Sequence, residues 1–286
     1  MSNFGTKERP IRMAFVPSLD AQAVLGSAQP LAEVLNRETG LFFDVSVPTS
    51  YTAVIEAMGA GQVDVAWLAT FAYVLAHDRY GVEVMLTTIR QGSKTYRSQI
   101  ITRADSGIRS LTDLRGKKFA FVDSASASGF LYPVALLARN DMDYKTAFAE
   151  TVNAGGHDKV VIAVYNRQVD AGATFGNSIE TGAPTDARTL VASTIPDVMD
   201  QVVPIAVTDP IPNDTVSLRR GIDPAVSQRI RTGLLKIAET PDGQRLLRDL
   251  YAINGLAEAS DADYNSVREA ARVLNLDLEE QIKPRS

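Results

Sequence analysis

The chain has no cysteine, only two histidines (His77 and His157) and a single tryptophan, Trp67, among 286 residues. The missing cysteines exclude disulfides, thiolate metal sites and cysteine nucleophiles, and leave the redox compartment open. Two histidines are too few for a histidine-built metal site. A hard cation held by oxygens alone stays possible, yet no D-x-D-x-D-G pattern occurs. Basic charge is also scarce: 29 Lys and Arg against 34 Asp and Glu leave a net charge of -5, with no Lys/Arg cluster. That balance argues against a nucleic-acid or anionic-membrane surface. No apolar run approaches the ~18 residues that span a bilayer. Also missing are a G-x-S-x-G elbow, a phosphate-binding G-x-x-x-x-G-K-S/T loop and a G-x-G-x-x-G fingerprint. A triad can be drawn from Ser126, His157 and an acid, but no spacing favours it. Met1 to Pro10 is polar and lacks the apolar core of a signal peptide. The expectation is therefore either a cytoplasmic protein or a mature form whose export signal has been removed.

What is present is ordinary globular composition, 45% hydrophobic and 22% charged, and a length that suits about two domains. Short β-branched runs alternate with amphipathic stretches. Ile11–Val16 reads as a first strand ended by Pro17. Val24, Leu25, Ala28, Leu31, Ala32 and Leu35 follow at helical spacing, with Gly40 just beyond. Pro30 must lie in the first turn of that helix or kink it. Phe42–Val47 is a second strand; Tyr51, Val54, Ile55 and Met58 mark one face of a short helix; Val63–Leu68 is a nearly all-apolar strand. This β-α-β-α-β rhythm implies a parallel sheet with right-handed crossovers. Val82–Ile89 and Ser98–Thr102 are extended, and Lys118–Val122 opens a second unit. Helices over about 129–139 and 158–164 and strands over 148–152 and 170–175 continue it. Leu190–Ser193 and Val202–Thr208 are expected as the last strands, and the chain beyond Asp214 as helical, with stripes at Val226, Ile230, Leu234, Ile237 and at Tyr264, Val267, Ala271, Leu274.

The chemistry concentrates at strand ends. After Phe119–Val122 comes Asp123-Ser-Ala-Ser-Ala-Ser-Gly129, a small hydroxyl-rich loop that opens a helix. The first N–H groups of a helix have no internal partner, and the dipole adds positive potential there. Ser126 and Ser128 add hydroxyl donors, and Gly129 allows close backbone approach, so the loop suits an oxyanion without any Lys or Arg. The same residues also suit a plain Ser N-cap. Gly155-Gly156-His157-Asp158 stands again between a strand and a helix. His157 could donate to an anion there, or Asp158 could simply cap the helix with His157 on the surface. Tyr51 and Tyr96 follow strands and could close over a ligand or pack between domains. Trp67–Phe71 ends the third strand, where open sheets place ligands, although such residues more often belong to a core.

Taken in order, Ser50–Met58 with Gly61–Trp67, Tyr96–Ile100, Ser110–Gly116, Asp123–Pro133, Gly155–Asp158 and Val169–Gly172 resemble the phosphate/phosphite/phosphonate-binding proteins of ABC importers. The resemblance runs from Ile11 to about Ile237. It implies an α/β, two-lobed periplasmic-binding-protein fold (type II), each lobe a mostly parallel sheet flanked by helices, with the ligand cleft between lobes. Residues 1–98 and 204–286 would form lobe 1 and residues 99–203 lobe 2, with crossing strands near 97–102 and 202–208 about which the lobes close.

Carried over position by position, the resemblance makes Tyr51 and Tyr96 ligand contacts. It gives the oxygens to Ser126, Ser128 and the N–H groups around Ala127 and Gly129, and makes His157 a further donor. The family pattern usually reads Ser-Thr-Ser-Gly, so Ala127 removes one hydroxyl. Members that take amine-bearing phosphonates look to have carboxylates after the strand that follows Val169–Gly172. Here that stretch offers Thr174 and Asn177, with Glu180 further on, and Asp209 as another match. A small oxyanion (phosphate, phosphite) or a simple alkyl phosphonate is therefore expected over an aminoalkyl one.

The implied partners are the permease and ATPase of an ABC importer. No cofactor, metal, nucleic acid or catalytic residue is expected, and the protein is expected to be a monomer, periplasmic or otherwise extracytoplasmic, with or without a lipid anchor. The alternative is a cytoplasmic enzyme of the same fold, such as a menaquinone-pathway lyase. A regulator's effector domain is disfavoured, because no helix-turn-helix segment precedes the fold and the chain is acidic.

Overall fold

The computed structural model describes residues 3–176 and 186–274. In chain order the first stretch runs β1 (Ile11–Phe15), α1 (Ala21–Thr39), β2 (Phe43–Ser46), α2 (Tyr51–Gly59), β3 (Val65–Leu68), α3 (Thr70–Tyr80) and β4 (Glu83–Ile89). The second runs β5 (Thr95–Arg103), β6 (Lys118–Phe121), α4 (Tyr132–Ala138), β7 (Glu150–Asn153), α5 (His157–Tyr165), β8 (Ala171–Gly176), α6 (Val198–Gln201) and β9 (Val202–Val207). The third runs β10 (Ile211–Pro212), β11 (Thr215–Leu218), α7 (Pro224–Glu239), α8 (Pro241–Tyr251), β12 (Gly255–Glu258) and α9 (Asn265–Val273). These elements group into two compact units. Among the described residues, one holds the chain up to Thr95 with Pro212–Ser266, the other Tyr96–Ile211 with Val267–Leu274.

In the first unit α1 forms because Asp20 caps Gln22 and Ala23, while Gly40 ends the helix in the left-handed conformation. Its stripe of Val24, Ala28, Leu31 and Leu35 is buried with Ile11, Met13, Phe15, Trp67, Leu234 and Leu247. Pro30 lies well inside α1 rather than in its first turn, where it removes the bond to the Gly26 carbonyl. The sheet order is β12-β4-β11-β3-β1-β2. Parallel pairing is confined to β3-β1-β2, and β11 returns antiparallel between β3 and β4. The sheet is therefore mixed, and the expectation of an all-helical stretch beyond Asp214 is corrected by β11 and β12. A buried carboxylate pins this sheet. Asp64, just before β3, accepts from the Arg12 Nε at 2.9 Å, the Arg12 backbone N–H at 3.0 Å and the Arg219 Nε at 2.8 Å. Burial alone would push this carboxyl up, but the bonds from Arg12 and Arg219 outweigh it and hold it below its ordinary value.

In the second unit the order is β10-β5-β8-β6-β7, with β9 paired to β5. Strands β7, β6 and β8 are mutually parallel, whereas β5 is antiparallel to both β8 and β9. The core is aromatic: Phe119 stacks on Phe148 at 4.5 Å, and Phe121 meets Phe130 edge-on at 5.2 Å. Leu190–Ser193 is not a strand. Asp186 caps a 3₁₀ turn, Ala187–Leu190, and holds the buried Arg188 by an ion pair at 2.7 Å. That local polar pairing overrides a short apolar run. The division between units falls at 95/96 and 211/212 rather than 98/99 and 203/204, because β5 pairs along its length with β8 and β9. Val267–Leu274 also groups with the second unit, where Leu274 packs on its core.

Candidate functional site

Because β6, β7 and β8 are parallel, their carboxyl ends emerge on one edge of the second unit's sheet, with β6 between the other two. Open α/β sheets place ligands at such an edge. The segments leaving it are those that carry Ser126–Gly129, His157 and Thr174.

After β6 the chain turns through Asp123–Ser126 and winds into one π-turn, Ala127–Leu131, that leads into α4. Asp123 organises the turn by accepting from the Ala125 N–H at 2.8 Å and, through its carbonyl, from the Ser126 N–H at 2.9 Å. The Ser126 hydroxyl oxygen accepts from the Gly129 N–H at 3.0 Å. The cap is thus real, and it consumes the Gly129 N–H. The earlier N–H groups, at Ala127 and Ser128, are the ones an opening turn leaves without an internal partner. Packing also requires Gly129: a Cβ there would lie 2.4 Å from the Val122 Cβ. Ser126, Ala127 and Ser128 are all buried.

After β7, Gly155 turns the chain at a φ of +80° and Gly156, in extended conformation, precedes the first residue of α5, His157. Asp158 is in the first turn and is not the cap, and His157 is buried rather than superficial. The ring stands edge-on to Phe175 at 5.0 Å. Its Nδ1 lies 2.7 Å from the Thr174 Oγ1 and 3.3 Å from the Phe175 N. A backbone N–H can only donate, so Nδ1 is an acceptor and the Thr174 hydroxyl donates to it. The neutral ring accordingly carries its proton on Nε2, a donor.

Ser98 on β5 joins the two halves of the edge. Its hydroxyl donates to the Ser128 carbonyl at 2.5 Å, with the Thr174 carbonyl at 3.2 Å. Sequence reasoning placed Ser98 and its neighbour Gln99 within Tyr96–Ile100 but gave neither a role, since nothing local shows what their side chains meet. Ser126, Ala127, Ser128, Gly129, His157 and Thr174 are therefore brought together by one chain of hydrogen bonds within one unit. Tyr96 lies half-buried on β5 of the same unit. Tyr51 belongs to the first unit, where it is buried as the first residue of α2 behind the Ser50 cap. Asp209 is not part of the cluster: it is exposed and paired with Arg139 at 2.7 Å. Asn177 and Glu180 lie outside the described residues. Trp67 is core, stacked on Phe15 at 5.7 Å.

The chain thus consists of two α/β units, one gathering hydroxyls, an imidazole and N–H groups at its strand ends. Residues 13–264 match the family described as "ABC transporter, phosphonate, periplasmic substrate-binding protein", and the chain belongs to that family. A curated relative, Phosphate-import protein PhnD of Mycolicibacterium smegmatis, is 34% identical over 181 residues, 59% of this chain and 56% of that protein. The matched part thus spans little more than half of that relative's length. The Phosphonates-binding periplasmic protein of Escherichia coli is 25% identical over 250 residues, covering 85% of this chain and 71% of that one. In fold, the chain is similar to a binding protein component of an ABC phosphonate transporter from Pseudomonas aeruginosa, with a TM-score of 0.83 and 23% identity over 96% of this chain and 90% of that one. It is also similar to PhnD1 of Prochlorococcus marinus in complex with methylphosphonate, with a TM-score of 0.79 and 17% identity over 93% and 98% of the two chains. The family consists of binding proteins and not enzymes, so the menaquinone-pathway alternative is not supported.

Proposed function

We propose that the protein is an extracytoplasmic solute-binding protein that captures a small phosphorus oxyanion (phosphonate, phosphite or phosphate) and passes it to the permease and ATPase of an ABC importer. The observation that carries this reading is the edge at which Ser126–Ser128, His157 and Thr174 are tied together by hydrogen bonds in a chain of this family. Its donors are neutral hydroxyls, an imidazole N–H and the first N–H groups of a helix. Such a set holds a dianion through several charge-assisted hydrogen bonds of roughly 1.5–3 kcal/mol each, less the costs of ordering.

Tyr51 and Tyr96 are further contacts in this reading. An alkyl phosphonate or a simple oxyanion is favoured over an aminoalkyl one, because Asp209 is committed to Arg139 and Thr174 donates to His157. The protein acts as a monomer, lipid-anchored or free.

The test is thermal shift with calorimetry against phosphate, phosphite, methylphosphonate and 2-aminoethylphosphonate. A specific ligand at 100 times its Kd adds about 2.7 kcal/mol of stability. A clear shift with one of the first three is expected. A flat response to all four would sink the reading, and a response to 2-aminoethylphosphonate alone would reverse the ligand preference.

A further inference from the structure

The carboxamide of Gln99 is buried, 4% exposed, and its Nε2 has no hydrogen-bond partner among the described residues. Buried donors are seldom left unmade, and an orphan at a functional edge asks for an acceptor that arrives from outside. Gln99 sits on β5 directly opposite Thr174 on β8, and directly paired residues share a face of the sheet. From there the side chain runs along β8 towards its carboxyl end. Its Oε1 and Cδ lie 2.9 Å and 3.1 Å from where a Cβ on Gly176 would be. Gly176 is two residues beyond Thr174, so the carboxamide lies over the same edge that carries His157 and Ser126–Ser128. Gly176 leaves the space that the carboxamide fills.

The geometry points to Gln99 as an additional oxyanion donor, its Nε2–H satisfied by a ligand oxygen when the anion binds beside His157 and Thr174. This rests on the proposed binding function and deepens it. A carboxamide carries no charge, so it selects for an acceptor oxygen facing β5 and against an alkyl or amine substituent there. Gln99 would thereby set the orientation of an asymmetric ligand such as methylphosphonate.

The experiment measures two quantities on the full chain for wild type, Gln99→Leu and Gln99→Glu. They are the melting temperature without ligand and the calorimetric affinity for phosphate, phosphite and methylphosphonate. Gln99→Leu removes a donor that nothing satisfies in the free protein, so its ligand-free melting temperature should equal or exceed that of wild type. Its affinity for the anion that wild type binds should fall at least about tenfold. Gln99→Glu should lose more, because a carboxylate repels the anion. Affinity within twofold of wild type in Gln99→Leu overturns the inference while leaving the binding function intact. So does a melting temperature that drops together with the affinity, the mark of a purely structural amide. If wild type binds none of these anions, the binding function fails and the inference fails with it.

Discussion

The Ser98 hydroxyl and the Ser128 carbonyl oxygen are 2.5 Å apart, although 30 residues separate them in the chain. A β5 side chain thus holds the loop that leaves β6, with the Thr174 carbonyl within reach of the same hydroxyl. Ser98→Ala leaves a buried carbonyl short of its donor, which costs about 1–3 kcal/mol. Lower stability and weaker anion binding are expected together, by thermal melting and calorimetry. A variant with unchanged affinity would show that the loop keeps its shape without this tie.

Thr174→Val keeps the branched shape and deletes the hydroxyl that donates to His157. The Phe175 N–H remains on Nδ1 at a longer 3.3 Å, so the tautomer is held less firmly. A stability loss of about 1 kcal/mol and a several-fold loss of anion affinity are expected. The cause can be read directly by nitrogen NMR of the imidazole, which should show Nε2 protonated in wild type. A ring protonated on Nδ1 would refute the assignment.

Gly129→Ala tests why that glycine is there. The added methyl meets the Val122 Cβ at 2.4 Å and its Cγ2 at 2.5 Å. Overpacking of this kind costs about 1–3 kcal/mol. Denaturant unfolding should show the loss in the absence of any anion. An unaltered midpoint would return the glycine to a ligand-approach role.

The Asp64 carboxyl is held below its ordinary value in the folded chain, its bonds to Arg12 and Arg219 outweighing burial. A group lowered on folding contributes stability that is complete above its unfolded value, about 3.9, and is lost as pH falls through the folded value. Stability of wild type should therefore decline below about pH 4, and Asp64→Asn should flatten that decline. At pH 7, Asp64→Ala should cost about 3 kcal/mol, the low end for one partner of a buried pair, because both arginines keep some contact with water. Equal acid sensitivity in wild type and Asp64→Asn would assign the decline to other carboxylates.

What could be read from the sequence was what local physics decides. Helix α1 is legible because an Asp cap, a Gly stop and a 3.6-residue stripe coincide. Helix α3 is not, since Phe71 to Ala76 are buried on every side and leave no period to detect. Strands β11 and β12 are four residues each, and their partners lie far back in the chain. At the site, the serine loop and His157 announced themselves by composition. Ser98 and Gln99 did not, because their roles come from the register that sets Gln99 opposite Thr174, 75 positions away. Gly129 was visible, but its packing reason was not: the atom a Cβ there would meet belongs to Val122.

The lone indole, Trp67, lies in the first unit's core, stacked at 15° on Phe15, and its N–H meets no acceptor among the described residues. The second unit has no tryptophan at all. Optically, then, the molecule is labelled on one side only. Its emission should be blue-shifted, and its loss in denaturant should follow the first unit alone, whereas circular dichroism counts the helices of both. Superimposable curves from the two signals would mark a single cooperative transition, and separated ones would date the melting of each unit.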